Sequence, residues 1–271
     1  MLYFSSFIKS IPKYKPAADR LFAALESSGT EYRLLDGTRD IWLRDFMPVR
    51  TKNGKYISFR YEPSYLTGYK DIRTDYRKDI APLFAFPVIY SDINLDGGNA
   101  VFSPSGENVI ISDRIFYENP EYKKEKLITE LERLLEAKLI IIPSLKSDMT
   151  GHADGMVRFV DEKTVIGNSV PSQYSLEQRI KSSLKKYGIT VIDFPYFSSP
   201  KDSAIGCYLN FLETDSRIFL PVFGKEPDAD ALKKAQELFY KKIIPVNINE
   251  IAVKGGVLNC ISWETKETEY R

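Results

Sequence analysis

The chain has 271 residues, with 38 Lys and Arg against 37 Asp and Glu, and 43% hydrophobic and 28% charged residues. Those are the values of a folded globular chain long enough to bury a sizeable core, and they exclude disordered, collagen-like and coiled-coil classes. A formal charge of +1 gives no electrostatic case for a nucleic-acid or acidic-membrane partner, no stretch approaches the ~18 apolar residues of a membrane span, and one histidine with two cysteines makes neither a zinc pattern nor a disulfide framework.

The N-terminal run MLYFSSFIKS is broken by Ser5, Ser6 and Lys9 and has no small-residue cleavage site after it. It reads as a strand (LYFS) and not as a signal peptide. With two free thiols, this predicts a cytoplasmic protein. A helix from about Ala17 to Glu26 and a strand at YRLLD follow. MPVRT, a hairpin turn at Asn53-Gly54, KYISFRY, a helix near Tyr76–Leu83 and FPVIY come next. NAVFSPSG and ENVIISD flank Pro104-Ser105-Gly106 as two strands. PEYKKEKLITELERLLEA then places Leu127, Ile128, Leu131, Leu134 and Leu135 at helical spacing, with Pro120 suited to the first turn, before the strand KLIIIP. MVRFV, a turn at 161–163, TVIGNS, a helix near Leu176–Tyr187 and TVIDF repeat that order. CYLNFLE, a turn at 214–216, RIFLPVF, a helix near Asp228–Tyr240 and IIPVNI repeat it again. GGVLNCISWE closes the chain as one strand.

Four ββαβ copies therefore start roughly every 50 residues. The two chain ends together supply a fifth. The pattern predicts one domain over residues 1–271, a five-bladed pseudo-symmetric α/β propeller of ββαβ units closed by the N- and C-terminal segments. An open α/β sheet is the simpler alternative. In a ring, equivalent blade ends face one axis. The polar clusters at the blade starts would then meet: Trp42-Leu43-Arg44-Asp45, Asp96-Gly97-Gly98-Asn99, Gly151-His152-Ala153-Asp154-Gly155, Tyr208-Leu209-Asn210 and Gly255-Gly256-Val257-Leu258-Asn259-Cys260.

Each cluster taken alone has a plain structural explanation. A free cysteine is most often a buried small hydrophobe, and Cys207 is left with that role. Cys260 follows a glycine pair that allows close backbone approach to a ligand. His152 and Asp154, two apart in an extended segment, share a face. A thiol and an imidazole in one cavity are what nucleophilic catalysis needs. Asp45 beside Trp42 can hold a planar cation, through bidentate hydrogen bonds and cation–π attraction, or it can form a surface ion pair. Asp96 suits an Asx turn, and Asn210 can satisfy backbone groups.

Taken in order, WLRDFMP, LDGGN, GHADG, YLN and GGVLNC resemble the guanidine-modifying superfamily, closest to the agmatine deiminase and bacterial peptidyl-arginine deiminase family. The resemblance runs from Trp42 to Cys260 and implies the five-bladed fold inferred from the repeats. By resemblance, Cys260 is the nucleophile, His152 the general acid and base, and Asp45 and Asp154 the carboxylates that grip the guanidinium. Trp42, Arg44, Asp96, Asn99 and Asn210 are the expected substrate-binding residues. Asp96 stands where the family usually has Glu, and Asn259 where agmatine deiminases usually have His. The implied reaction is deimination of agmatine or a related small alkylguanidine to a ureido product and ammonia, with no metal or organic cofactor. Action on peptide-linked arginine, amidino transfer to an amine, and non-catalytic guanidine binding are the alternatives. The expected partner is the small guanidine or an arginine side chain, with no nucleic acid and no membrane; homo-oligomerisation stays open.

Overall fold

A computed structural model describes residues 1–169, 174–197 and 203–266. Strand β1 (Leu2–Ser5) leads through α1 (Phe7–Ser10) and α2 (Lys15–Ser27) to β2 (Tyr32–Leu35), which lies parallel to it. Parallel neighbours cannot be joined by a tight turn, so a crossover is obligatory. The single turn α3 (Leu43–Phe46) precedes β3 (Val49–Arg50), which pairs antiparallel with β4 (Tyr56–Arg60). Gly54, at φ +84°, makes the hairpin turn between them. β4 crosses to parallel β5 (Val88–Asn94) by an irregular segment. The helix expected near Tyr76–Leu83 is there a π turn at Tyr76–Ile80 followed by a 3-10 turn at Ala81–Leu83, because Pro82 removes the donor that an α-helix would need.

The next unit runs from β6 (Ala100–Phe102) to antiparallel β7 (Asn108–Ser112), through α4 (Arg114–Glu118) and α5 (Lys124–Leu135), to parallel β8 (Lys138–Ile142). Pro120 does not open the long helix as expected. It forces Asn119 out of the α region (φ −133°, ψ 60°), which ends α4, and α5 starts after a further turn. α5 buries Leu127, Leu131, Leu134 and Leu135, the face its spacing predicts. Truncating one of these to Ala would cost about 2–5 kcal/mol.

β9 (Val157–Asp161), β10 (Thr164–Asn168), α6 (Tyr174–Lys185) and β11 (Thr190–Phe194) form the fourth unit. β12 (Leu212–Glu213), β13 (Arg217–Val222), α7 (Pro227–Leu238) and β14 (Lys242–Asn247) form the fifth. After α8 (Asn249–Ala252), β15 (Ser262–Glu264) returns antiparallel to β1. The chain ends therefore share a sheet, with Tyr3 opposite Trp263. The described residues form an α/β fold of five three-stranded sheets with one pattern. Each central strand has one antiparallel neighbour and one parallel neighbour that is reached by a crossover. No helix among the described residues is long and apolar enough to cross a membrane.

Candidate active site

Two segments expected as strands are mostly turns. Of CYLNFLE only Leu212–Glu213 is strand, and of GGVLNCISWE only Ser262–Glu264. The residues before them form turns, so Cys260 lies in a turn and not in a strand. The same holds elsewhere. Asp45 is on the single turn α3, Asp96 precedes a 3-10 turn at Gly97–Asn99, and Asp154 is inside a 3-10 turn at Ala153–Gly155 that His152 leads into with extended backbone (φ −68°, ψ 145°). Every polar cluster is thus one turn of chain set just before the first strand of a unit, or before β15.

These five turns are tied to one another. Gly98 N donates to Asp45 Oδ1 at 3.3 Å, and Ala153 N to Asn99 Oδ1 at 3.2 Å. Asn210 Nδ2 donates to Asp154 Oδ2 at 2.8 Å, and Cys260 N to Asn210 Oδ1 at 3.2 Å. Arg44 N then donates to the Cys260 carbonyl at 3.1 Å, which joins the fifth turn to the first. Buried polar backbone must find partners, and here the partners come from the neighbouring turn.

Trp42, Asp45, His152, Asp154, Asn210 and Cys260 line one cavity of about 450 Å³. Asp45 Oδ1, His152 Nδ1 and Asp154 Oδ2 lie 2.7, 2.8 and 3.4 Å from the point where a Cβ on Gly98 would stand. Cys260 Sγ is 3.8 Å from Asp154 Oδ2. Both carboxylates and the imidazole are buried, and Cys260 is partly so. A Cβ on Gly256 would strike the Trp42 ring, so the glycine pair lets the indole pack against the cysteine turn.

Arg44, Asp96 and Asn99 were expected at the substrate but do not line the cavity. Arg44 turns its Nε to the Asn259 carbonyl at 3.4 Å. Asn99 spends its side-chain oxygen on two backbone amides, those of Ser112 at 2.9 Å and Ala153. Asp96 stands behind His152, with Oδ2 2.9 Å from Nε2, so the shorter carboxylate does reach the imidazole. The cavity wall also holds Asp40, Tyr61 and Tyr65, which the sequence did not single out, and Cys207, which was expected as a buried small hydrophobe and is buried. Asp40 is two residues from Trp42 and could have been noticed. The tyrosines sit in a crossover without periodicity and gave no signal.

Burial works against the charge on His152, but Asp45, Asp96 and Asp154 outweigh it and push its pKa up to about 10. Burial raises Asp45 to about 8, with His152 pulling the other way, and raises Asp40 to about 7. His152 Nδ1 and Asp45 Oδ1 lie 3.6 Å apart, so their protons come off in steps that belong to the cluster. Burial, then Asp154 and Asp45, push the Cys260 thiol well above its ordinary range. Burial pushes Cys207 up to about 12. The cavity therefore holds a neutral thiol and an imidazolium among several acids. Among the described residues no group of three or more His, Cys, Asp and Glu is arranged to hold a metal ion.

A profile of Porphyromonas-type peptidyl-arginine deiminases matches residues 13–265. The chain belongs to this family. A Lactococcus lactis protein assigned as an agmatine deiminase is 27% identical over 211 residues, which cover 64% of this chain and 57% of that protein. The chain thus spans less than two thirds of that relative's length. A Selenomonas ruminantium protein with the same assignment is 23% identical, over 94% of this chain and 82% of its own length. Among solved structures, a substrate-bound cysteine-to-serine variant of C. jejuni agmatine deiminase superposes with TM-score 0.74 at 18% identity, covering 100% of this chain and 94% of that one. At that identity the likeness is one of fold.

Proposed function

We propose that the chain hydrolyses a guanidine group to a ureido product and ammonia through a covalent adduct on Cys260, with agmatine or a related small alkylguanidine as substrate. One observation carries this reading: a thiol, an imidazole and two carboxylates converge on one buried cavity whose acids outnumber its cations. A guanidinium is planar, permanently charged and offers paired N–H groups to carboxylates. Asp45 and Asp154 fix its plane, and Trp42 flanks it.

As the cation binds, Asp45 gives its proton to solvent, the cation's charge offsets both carboxylates, and the thiol loses its proton to solvent. The Cys260 thiolate attacks the central carbon. The His152 imidazolium gives its proton to the departing nitrogen, and ammonia leaves. An S-alkylthiouronium remains. Water gives one proton to the now neutral His152 and attacks the same carbon as hydroxide; the C–S bond breaks with its electron pair on sulfur, the hydroxyl proton passes to that thiolate, and the ureido product leaves. No step calls for a metal or an organic cofactor.

The reading takes the chain as a single domain, a closed five-bladed α/β propeller. The β1–β15 pairing and the ring of hydrogen bonds between turns support that closure. The C. jejuni agmatine deiminase with its substrate bound supports the choice of a small guanidine. A peptide-linked arginine is the second reading. It is favoured by exposed apolar groups, Ile72 and Met149, on the cavity wall.

An ammonia-release screen with agmatine, free arginine, arginyl peptides and methylated arginines tests both readings. Repeating it with an added amine acceptor separates hydrolysis from amidino transfer. Intact-protein mass spectrometry is expected to catch an adduct in the native chain and none in Cys260→Ser, which binds guanidines without releasing ammonia. Ammonia release that survives Cys260→Ser would remove Cys260 as nucleophile.

A further inference from the structure

The irregular crossover between β4 and β5 brings Tyr65 to the cavity wall. Its hydroxyl donates to Asp96 Oδ2 at 2.7 Å, and that same oxygen lies 2.9 Å from His152 Nε2. The tyrosine ring meets the imidazole edge-on, with centroids 6.3 Å apart and planes at 67°. Tyr65 is itself held from behind. It sits in a 3-10 turn at Ser64–Leu66. Ser64 donates through N and Oγ to Glu118 at 2.8 and 2.7 Å, and Arg114 reaches Ser64 Oγ and Glu118, both at 2.8 Å. An irregular segment is thereby pinned to α4.

We propose that Tyr65 is a positioning residue for His152, acting through a shared Asp96 oxygen so that Nε2 is committed to the carboxylate and Nδ1 is the nitrogen that exchanges a proton in the cavity. The proposal rests on the deiminase reading only for its effect on turnover. Nδ1 already points to the reacting region. It lies 3.6 Å from Asp45 Oδ1, and it crowds the space beside Gly98. A carboxylate oxygen shared by two donors gives each a weaker bond than it would give one alone. Tyr65 therefore fixes the ring while moderating the pull of Asp96 on its proton. The titratable groups facing the ring are Asp45 from α3, Asp96 from the turn before β6, Asp154 from the histidine's own turn, Tyr65 from the crossover and Cys260 from across the cavity.

His152 is the only histidine in the chain, so its NMR titration can be read without ambiguity. In full-length Tyr65→Phe the ring stays and the second donor goes. The imidazole titration is expected to move to higher pH. Turnover is expected to fall about tenfold, the loss typical of one hydrogen bond to a charged group, with KM little changed. Ser64→Ala loosens the anchor without touching the hydroxyl, and it is expected to shift the titration the same way by less. A titration unchanged or moved to lower pH in Tyr65→Phe overturns the proposal. If the shift appears but no guanidine yields ammonia from the native chain, the positioning role stands and the deiminase reading falls. If ammonia is released normally and the titration does not move, the positioning role alone falls.

Discussion

Asn259 holds Asp154 against the thiol: its Nδ2 donates to Asp154 Oδ2 at 2.7 Å, and that oxygen is 3.8 Å from Cys260 Sγ. Asn210 adds a second amide to the same oxygen at 2.8 Å. Two amides on one oxygen fix the carboxylate's rotamer where it faces both the sulfur and the cavity. The residue before the cysteine thus positions a cavity-facing acid from behind.

That arrangement makes the empty site chemically quiet. Burial, Asp154 and Asp45 all favour the neutral thiol of Cys260, and burial keeps Cys207 neutral as well. A cation between the carboxylates removes much of that opposition. Ultraviolet thiolate absorbance is expected to be near zero in the free protein at neutral pH and to appear on adding a non-hydrolysable amidine, in the native chain but not in Cys260→Ser. A thiolate fully formed in the empty site at neutral pH would contradict substrate-assisted ionisation.

Asp154→Asn separates thiol reactivity from catalysis. Removing the carboxylate nearest the sulfur eases ionisation, so alkylation of Cys260 at a fixed mildly alkaline pH is expected to speed up. On the proposed deiminase reading the same change also removes one of the two carboxylates that face the guanidinium, and turnover is expected to fall about 10–100-fold, the loss of a charged hydrogen bond. If thiol reactivity and turnover fall together, the carboxylate is acting on the thiol alone.

The strand and helix order was legible because its signals are local: hairpin turns such as Asn53-Gly54, helical spacing in α5, and apolar runs for β8 and β13. The five polar clusters were legible as segments that precede the first strand of a repeated unit or the closing strand. Their conformation was not. Four or five residues such as YLNF or VLNC show neither period 2 nor period 3.6 clearly, and what makes them turns is bonding to other turns, such as Asn210 Oδ1 to Cys260 N. His152 and Asp154 were paired on the premise of an extended segment. They share the cavity although a 3-10 turn follows His152. Tyr65 and the support role of Asn99 depend on contacts distant in sequence, Asp96 and Ala153, that no local pattern encodes.

Gly98 is required for space and not for backbone freedom. Its φ is not in the left-handed region, so alanine is allowed there by the backbone. The added methyl would sit 2.7 Å from Asp45 Oδ1 and 2.8 Å from His152 Nδ1. Gly98→Ala is expected to destabilise the fold by about 1–3 kcal/mol and to abolish ammonia release by moving both groups. Gly155→Ala, whose methyl meets nothing within 4 Å, is the control and is expected to unfold like the native chain. Equal thermal and activity profiles for Gly98→Ala and the native protein would show that the cluster is looser than its geometry implies.

The acids and the imidazole together give stability a definite sign with pH. His152 is raised from 6.5 to about 10, so its contribution is complete below its unfolded value and is lost as pH climbs from 6.5 toward about 10. Asp45, raised by burial to about 8, and Asp40, raised by burial to about 7, keep protons that the unfolded chain has already released. Each disfavours folding increasingly above its ordinary value of 3.8, until its folded pKa is passed. In all three cases the folded state binds more protons than the unfolded one, so the slope of stability against pH is negative. Thermal unfolding is expected to show Tm falling from about pH 5 to about pH 10. Asp45→Asn removes one raised acid and part of the field that holds the imidazolium, and the fall should become shallower. A Tm that climbs between mildly acidic and mildly alkaline pH would mean that the buried cluster is not protonated as its surroundings require.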